Sequence, residues 1–351
     1  MKHYRFLFLE DLFSAYLRLM DQHKEFRALV VREMEDGSFN RAIEKKKISD
    51  LPDGDVVIQV KYAGLNYKDA LSASGHKGIS RNFPHTPGVD ASGIVASDAS
   101  GQFTVGQEVI VTGYDLGMNT SGGFQEYIRV PAGWVAPKPD SLTLKEAMVM
   151  GTAGFTAALS LYKMERMGQN PSMGEILVTG STGGVGSMAV GILAKAGYDV
   201  IASTGKKDAE PHLKKLGAAR IEDRAFACDE TGRPLLRSKW AGAIDTVGGE
   251  TLHTCVKACA RKGSVASCGL VGSSDLNMTV YPFLLNGINI LGVDSAETDM
   301  PLRKELWTKL STEWKISGLE SYGTFVSLDE IIHQMDLILE AKTKGRVVVE
   351  F

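Results

Sequence analysis

Between Glu175 and Gly197 the chain reads E-I-L-V-T-G-S-T-G-G-V-G-S-M-A-V-G-I-L-A-K-A-G, and no other segment constrains the fold as much. An apolar run enters Gly180-x-x-Gly183-x-x-Gly186, and a small-residue pattern with helical spacing follows. Strand, glycine turn and helix in that order are how a parallel α/β sheet presents a helix N-terminus to a dinucleotide pyrophosphate. Gly180 permits a tight turn, Gly183 lets the backbone approach phosphate, and Gly186 lets the helix pack close to the sheet. The spacing departs from G-x-G-x-x-G, so the motif alone also fits a glycine-rich turn without a ligand. Its surroundings favour a redox enzyme that uses a nicotinamide cofactor.

A second apolar run, Tyr198-Asp-Val-Ile-Ala-Ser203, follows at the spacing of the next parallel strand and ends in Ser203-Thr204-Gly205-Lys206-Lys207. An enzyme that prefers NADH places a carboxylate at this tip to hold the ribose hydroxyls. Hydroxyls and ammonium groups suit a 2′-phosphate instead, so NADPH is expected over NADH. The alternative is that Lys206 and Lys207 merely solvate a helix start.

A length of 351 residues suits two domains, and 44% apolar with 23% charged residues is the balance of a globular protein. The net charge of −3 implies neither nucleic acid nor an anionic membrane as partner. Cys228, Cys255, Cys259 and Cys268 are few and unpatterned, as expected of free thiols in a reducing cytoplasm. No apolar run approaches the roughly 18 residues of a membrane span. In residues 1–25, Leu9, Leu12, Phe13, Tyr16, Leu17 and Met20 recur at helical spacing, and this extension is expected to lie outside the chemistry.

From Phe26 to about Met148 the texture is one of short strands with glycine corners, among them Arg27–Arg32, Asp55–Lys61, Gly88–Val95 and Gly106–Gly113. After Gly151 it switches to alternating strand and helix: Ile176–Thr179, Val200–Ser203, Ala243–Thr246, Val265–Cys268 and Ile288–Gly292. That alternation predicts an α/β fold with a doubly wound parallel sheet. The tail, with a helix over Leu328–Lys342 and a strand over Arg346–Phe351, returns to the first style. The expected organisation is an N-terminal extension over 1–25, a split β-barrel-like domain over 26–148 and 297–351, and a dinucleotide domain over 149–296. The active site is expected in the cleft between the two domains.

Gly64-Leu-Asn-Tyr-Lys-Asp69, Pro87-Gly-Val-Asp-Ala-Ser-Gly-Ile-Val95 and the glycine turn, in this order, resemble the medium-chain dehydrogenase/reductase superfamily across residues 26–351. The chain looks like the zinc-free quinone-oxidoreductase-like branch. It is more narrowly similar to the bacterial NADPH-dependent acryloyl-CoA reductases in Arg81-Asn-Phe-Pro84, Gly151-Thr-Ala-Gly-Phe-Thr-Ala157, Trp240-Ala-Gly-Ala-Ile-Asp-Thr-Val-Gly248 and Gly292-Val-Asp-Ser295. The resemblance implies a GroES-like catalytic domain joined to a Rossmann domain, and a homodimer joined along the edge strand Asn289–Val293. Zinc-dependent relatives carry Cys, His and Glu where this chain has Asn66, Val89 and Asp90, so no metal is expected.

Without a Lewis acid, reduction of an activated C=C bond is the expected chemistry, with negative charge stored on the substrate carbonyl. Asn66 and Tyr67 are the expected catalytic residues, the amide donating to a developing enolate and the phenol giving a proton. Tyr67 could instead contact only the cofactor. The family pattern places Thr182, Gly183, Gly184 and Val185 at the pyrophosphate, and Ser203, Thr204, Lys206 and Arg220 around the 2′-phosphate. It places Leu270, Leu284 and Ser295 on the nicotinamide side, with Arg346 reaching the cofactor from the returning strand. An acyl-CoA would want cations at the cleft rim, for which Lys77, Arg81 and Arg303 are candidates; a quinone or other enone would want a wider apolar mouth. A non-catalytic NADPH-binding redox sensor is the reading from another class.

Overall fold

The computed structural model describes residues 22–351. The helical pattern expected over residues 9–20 lies outside the described residues.

After Ile176, strands and helices alternate. The strands are β8 (Ile176–Val178), β9 (Val200–Ser203), β10 (Arg220–Glu222), β11 (Gly242–Asp245), β12 (Ser264–Ser267) and β13 (Asn289–Gly292). They pair in parallel in the order β10-β9-β8-β11-β12-β13. Counted from the first strand of the unit this is 3-2-1-4-5-6, the order of a doubly wound dinucleotide sheet, with its switch point between β8 and β11. Side chains alternate across a strand, and both sets here are buried. Leu177, Ile201, Ala243 and Val265 pack on one face with Cys255 and Val256. Ile176, Val178, Val200, Ala202, Ile244 and Ala266 pack on the other, against helix α2 (Leu144–Arg166) and helix α3 (Gly184–Lys195).

The earlier strands are antiparallel at their core. β3 (Val56–Gly64), β4 (Asp90–Asp98), β5 (Glu108–Thr112) and β7 (Ala136–Pro137) follow one another in the sheet, and β6 (Tyr127–Val130) pairs with the first half of β3. β1 (Glu25–Glu33) and β2 (Phe39–Lys47) form a separate hairpin. The far end of β3 pairs with β15 (Arg346–Glu350), which in turn pairs with β14 (Gly323–Val326), so the tail re-enters the first sheet. Helix α8 (Ile331–Leu339) buries Ile331 and Met335 in that sheet's core beside helix α1 (Tyr67–Ala73).

Helix α2 carries the chain from one sheet to the other. A capping box starts it: Glu146 N–H donates to Thr143 Oγ1 (2.9 Å) and Thr143 N–H to Glu146 Oε2 (3.0 Å). It breaks at Gly151, whose φ of 48° and ψ of −154° are not helical. A Cβ there would lie 2.3 Å from Asp90 Oδ2, so the residue must be glycine both for its backbone and for its neighbour.

Candidate functional site

The glycine turn folds as its sequence demands. Gly180 has φ 57°, and a Cβ on it would meet Thr246 Oγ1 at 2.4 Å; one on Gly186 would meet Gly180 O at 2.3 Å. Gly183 is the N-cap of α3 and is exposed, with Gly184 and Val185 half-buried behind it. The partial positive charge of this helix end therefore faces the crevice at the switch point. Asp245 completes the floor: its carboxylate accepts from Thr179 Oγ1 (2.6 Å) and Gly248 N (2.7 Å). Leu270 lies beside that turn, 67% exposed.

At the tip of β9, Thr182 Oγ1 and Thr204 Oγ1 are 3.2 Å apart and Ser203 Oγ donates to Asp223 O (3.1 Å). Lys206 Nζ donates to Thr343 O (2.7 Å), which draws in the segment before β15. Burial, then the neighbouring Lys344 and Arg224, lower the Lys206 pKa against the opposing pull of Asp208. Arg224 folds over Gly205, where a Cβ would meet its Nε at 2.5 Å, and its guanidinium has no carboxylate partner among the described residues. Lys344 pairs with Asp208.

Arg220 is a correction. Its guanidinium pairs with Glu175, just before β8 (2.8 and 3.0 Å), and with Glu222. Glu175 marks the N-terminal edge of the parallel sheet, whereas phosphate binds at the C-terminal edge. Arg224, four residues on, lies instead beside Gly205 and Lys206 at the tip of β9.

Asn66 and Tyr67 open α1 opposite the turn. Asp69 holds the start of this helix: it accepts from Asn66 N (2.7 Å) and Val89 N (2.9 Å). Burial, then the neighbouring Asp90, pushes its carboxyl up to about 7. The Asn66 amide is fully engaged. Nδ2 donates to Asp90 Oδ2 (2.7 Å) and Gly64 O (3.3 Å), and Oδ1 accepts from Arg346 Nη1 (3.2 Å). The expected enolate donor is thus spent on a carboxylate, because a buried Asp90 is a stronger acceptor than any neutral group nearby. Tyr67 is 41% exposed and its hydroxyl has no partner among the described residues.

Arg346 does not project into the crevice as expected. It is buried, donating to Val149 O (3.0 Å), Leu65 O (3.0 Å) and Asn66, and it meets Asp90 Oδ2 at 3.4 Å. Asp90 also accepts from Thr152 N and Oγ1 (2.9 and 2.5 Å). Ser295 Oγ is 2.7 Å from Thr156 Oγ1. Leu284, 75% exposed, stands with Val280, Tyr281 and Leu285 on and beside helix α6 (Tyr281–Asn286).

Of the rim cations, Arg303 is a second correction. It is 1% exposed on helix α7 (Met300–Ser311), donating to Thr112 O (2.8 Å), Ala296 O (3.0 Å) and Ser295 O (3.1 Å) and lying over the rings of Tyr114 and Phe155. It staples β5 to the segment after β13. Lys77 pairs with Glu33 (2.6 Å), while Arg81 is exposed. Among the described residues no group of three or more His, Cys, Asp or Glu could hold a metal, and no helix is long and apolar enough to cross a membrane.

The profile of the alcohol dehydrogenase GroES-like domain matches residues 52–140, and that of zinc-binding dehydrogenases matches 184–310. YhfP of Bacillus subtilis, named a quinone oxidoreductase, is 43% identical over 93% of this chain and 98% of its own. The chain belongs to the medium-chain dehydrogenase/reductase superfamily. Within it, the acrylyl-CoA reductase AcuI of Ruegeria pomeroyi is 38% identical over 93% of this chain and 99% of its own. The crystal structure of the Salmonella enterica oxidoreductase YhdH in complex with NADP superposes with a TM-score of 0.89 at 40% identity, covering 93% of this chain and 99% of that one. Bacillus subtilis YhfP with NAD bound gives 0.91 at 42% identity, covering 93% and 100%. The superfamily's two-domain α/β architecture is that of this chain.

Proposed function

We propose that this protein is an oxidoreductase that uses NADPH to reduce the C=C bond of a small 2,3-enoyl thioester, with acryloyl-CoA to propionyl-CoA as the favoured conversion. The observation that carries the reading is Tyr67, whose free hydroxyl stands next to an amide locked in place by Asp90 and Arg346. The glycine turn fits the pyrophosphate of such a cofactor, and Lys206, Arg224 and Lys344 with the Thr204 hydroxyl fit a 2′-phosphate, while the Ser203 hydroxyl is committed to Asp223 O. The AcuI name supports the substrate.

Bound NADPH supplies a hydride to the β-carbon and becomes NADP+. The C=C electron pair moves through the α-carbon onto the thioester oxygen as an enolate, and a proton then adds at the α-carbon. Tyr67 is our candidate to give that proton, and Asn66, held by Asp90 and Arg346, fixes the start of the helix that carries it. Replacing Tyr67 with Phe is expected to lower kcat about 100-fold with KM little changed, the size of a lost general acid. Steady-state kinetics checks this, and unaltered turnover would remove the acid role.

A second reading, reduction of a quinone or other enone, is favoured by one observation: burial of Arg303 removes a cation that a CoA arm could use. The deciding experiment is the initial rate of NADPH oxidation with acryloyl-CoA, crotonyl-CoA and a quinone side by side. Turnover only with the quinone would overturn the thioester assignment. Tight NADPH binding without turnover of any acceptor would move the protein to the sensor class.

We read the domains as 26–148 with 297–351 around 149–296, and the protein as a cytoplasmic homodimer. β13 is one of the sheet's two edge strands among the described residues, and Val280, Tyr281, Leu284 and Leu285, in the segment just before it, are exposed. Leu284→Glu with Leu285→Glu is expected to halve the mass seen by light scattering.

A further inference from the structure

Glycines from three separate segments surround one guanidinium. A Cβ on Gly64 or on Gly151 would come within 2.8 Å of Arg346 Nη2, and one on Gly184 within 3.1 Å of Nη1. The end of β3, the break in α2 and the first turn of α3 all leave out a side chain where this cation sits. The three residues before it form a strap tied to the turn after β8 and to the tip of β9. Thr343 O accepts from Lys206 Nζ (2.7 Å), Lys344 pairs with Asp208, and Gly345 N–H donates to Thr182 O (3.2 Å). Thr343 Oγ1 is buried with no partner among the described residues.

We propose that Arg346 is the positioning residue of the Asn66–Tyr67 turn, and that residues 343–345 set it according to whether the phosphate end of the crevice is filled. The inference rests on the NADPH reading above. A phosphate dianion is a stronger acceptor than a neutral carbonyl, so its arrival draws Lys206 away from Thr343 O. It also offers the unpartnered Thr343 hydroxyl an acceptor. Thr343 and Arg346 are three residues apart, at most about 10 Å of chain. The strap has little slack, since Gly345 sits at φ 66° with a Cβ position 2.9 Å from Tyr322 O. Movement at Thr343 therefore reaches Arg346 and, through Asn66 Oδ1 and Asp90, the start of α1. On this account the 2′-phosphate raises turnover as well as affinity, although it lies far along the cofactor from the nicotinamide.

The test is amide hydrogen exchange on the full chain, saturated with NADPH or with NADH, alongside kcat for each cofactor. NADPH is expected to slow exchange across residues 64–70 and 343–347, whereas NADH slows only the glycine turn. At saturation kcat should be at least tenfold higher with NADPH. Lys206→Met, which touches none of the partners of Arg346, should erase both differences. Arg346→Lys keeps the charge but loses the fork, and should lower kcat tenfold or more with the NADPH dissociation constant within threefold. Equal protection of 64–70 by the two cofactors would overturn the inference, as would an Arg346→Lys variant that is weakened only in binding. Absence of turnover with every acceptor would strike the proposed reaction instead, because the exchange readout needs no substrate.

Discussion

Replacing Asp90 with Ala is expected to cost about 3–5 kcal/mol of folding stability, enough to shift the denaturant midpoint well outside experimental error. The carboxylate is fully buried, and it holds together three strangers in sequence: the Asn66 amide, the backbone and hydroxyl of Thr152, and the Arg346 guanidinium. Removing it leaves a buried guanidinium hydrogen-bonded to the carbonyls of Val149 and Leu65 and the oxygen of Asn66, with Asp69 the weaker acidic neighbour that remains. Most of the loss is thus the penalty of an uncompensated charge, not the worth of the pair. A double variant, Asp90→Ala with Arg346→Met, should recover a substantial part of the loss, and a double-mutant cycle measured by urea unfolding reads that recovery directly. If the double variant is as unstable as the sum of the two single ones, the charge argument fails and the cluster matters only for its shape.

Lys206→Glu is expected to lower kcat/KM for NADPH about 100-fold or more while leaving NADH within about threefold. A charge-assisted hydrogen bond contributes about 1.5–3 kcal/mol, and a carboxylate facing a phosphate adds repulsion, while each 1.4 kcal/mol is tenfold. Arg224→Ala should act in the same direction with a smaller effect, and Arg220→Ala should leave both cofactors unaffected. Kinetics with the two cofactors checks all three variants. Equal loss with NADPH and NADH would place Lys206 away from the phosphate.

The parts of the fold carried by local pattern are legible in the sequence alone. β9 occupies the Val200–Ser203 run expected of it, and the strap of sequence around Gly180, Gly183 and Gly186 makes the expected turn. What was not legible depends on direction or on distance. A three-residue strand such as β10 does not announce which end of the sheet its arginine reaches, so Arg220 and Arg224 could be told apart only once Glu175 was seen beside the former. The donor on Asn66 looked available because the acceptor that consumes it lies 24 residues away. Arg303 looked like a surface cation because nothing local marks a helix face that closes on the carbonyls of β5 and the segment after β13. The break in α2 did carry a signal, Gly151 within an otherwise helical run, but its cause is a carboxylate on another strand.

The pairing of β3 with β15 bears on how the protein is made. During synthesis the parallel sheet, spanning residues 176–292, can close while the chain is still growing, since all six of its strands are then available. The other sheet cannot. Its strand at 56–64 must wait, one stretch of its edge bare, until 346–350 emerge from the ribosome. Because the same late segment delivers Arg346, the nascent protein acquires a nucleotide crevice well before it acquires a working one. A partly translated chain should bind cofactor yet remain inert.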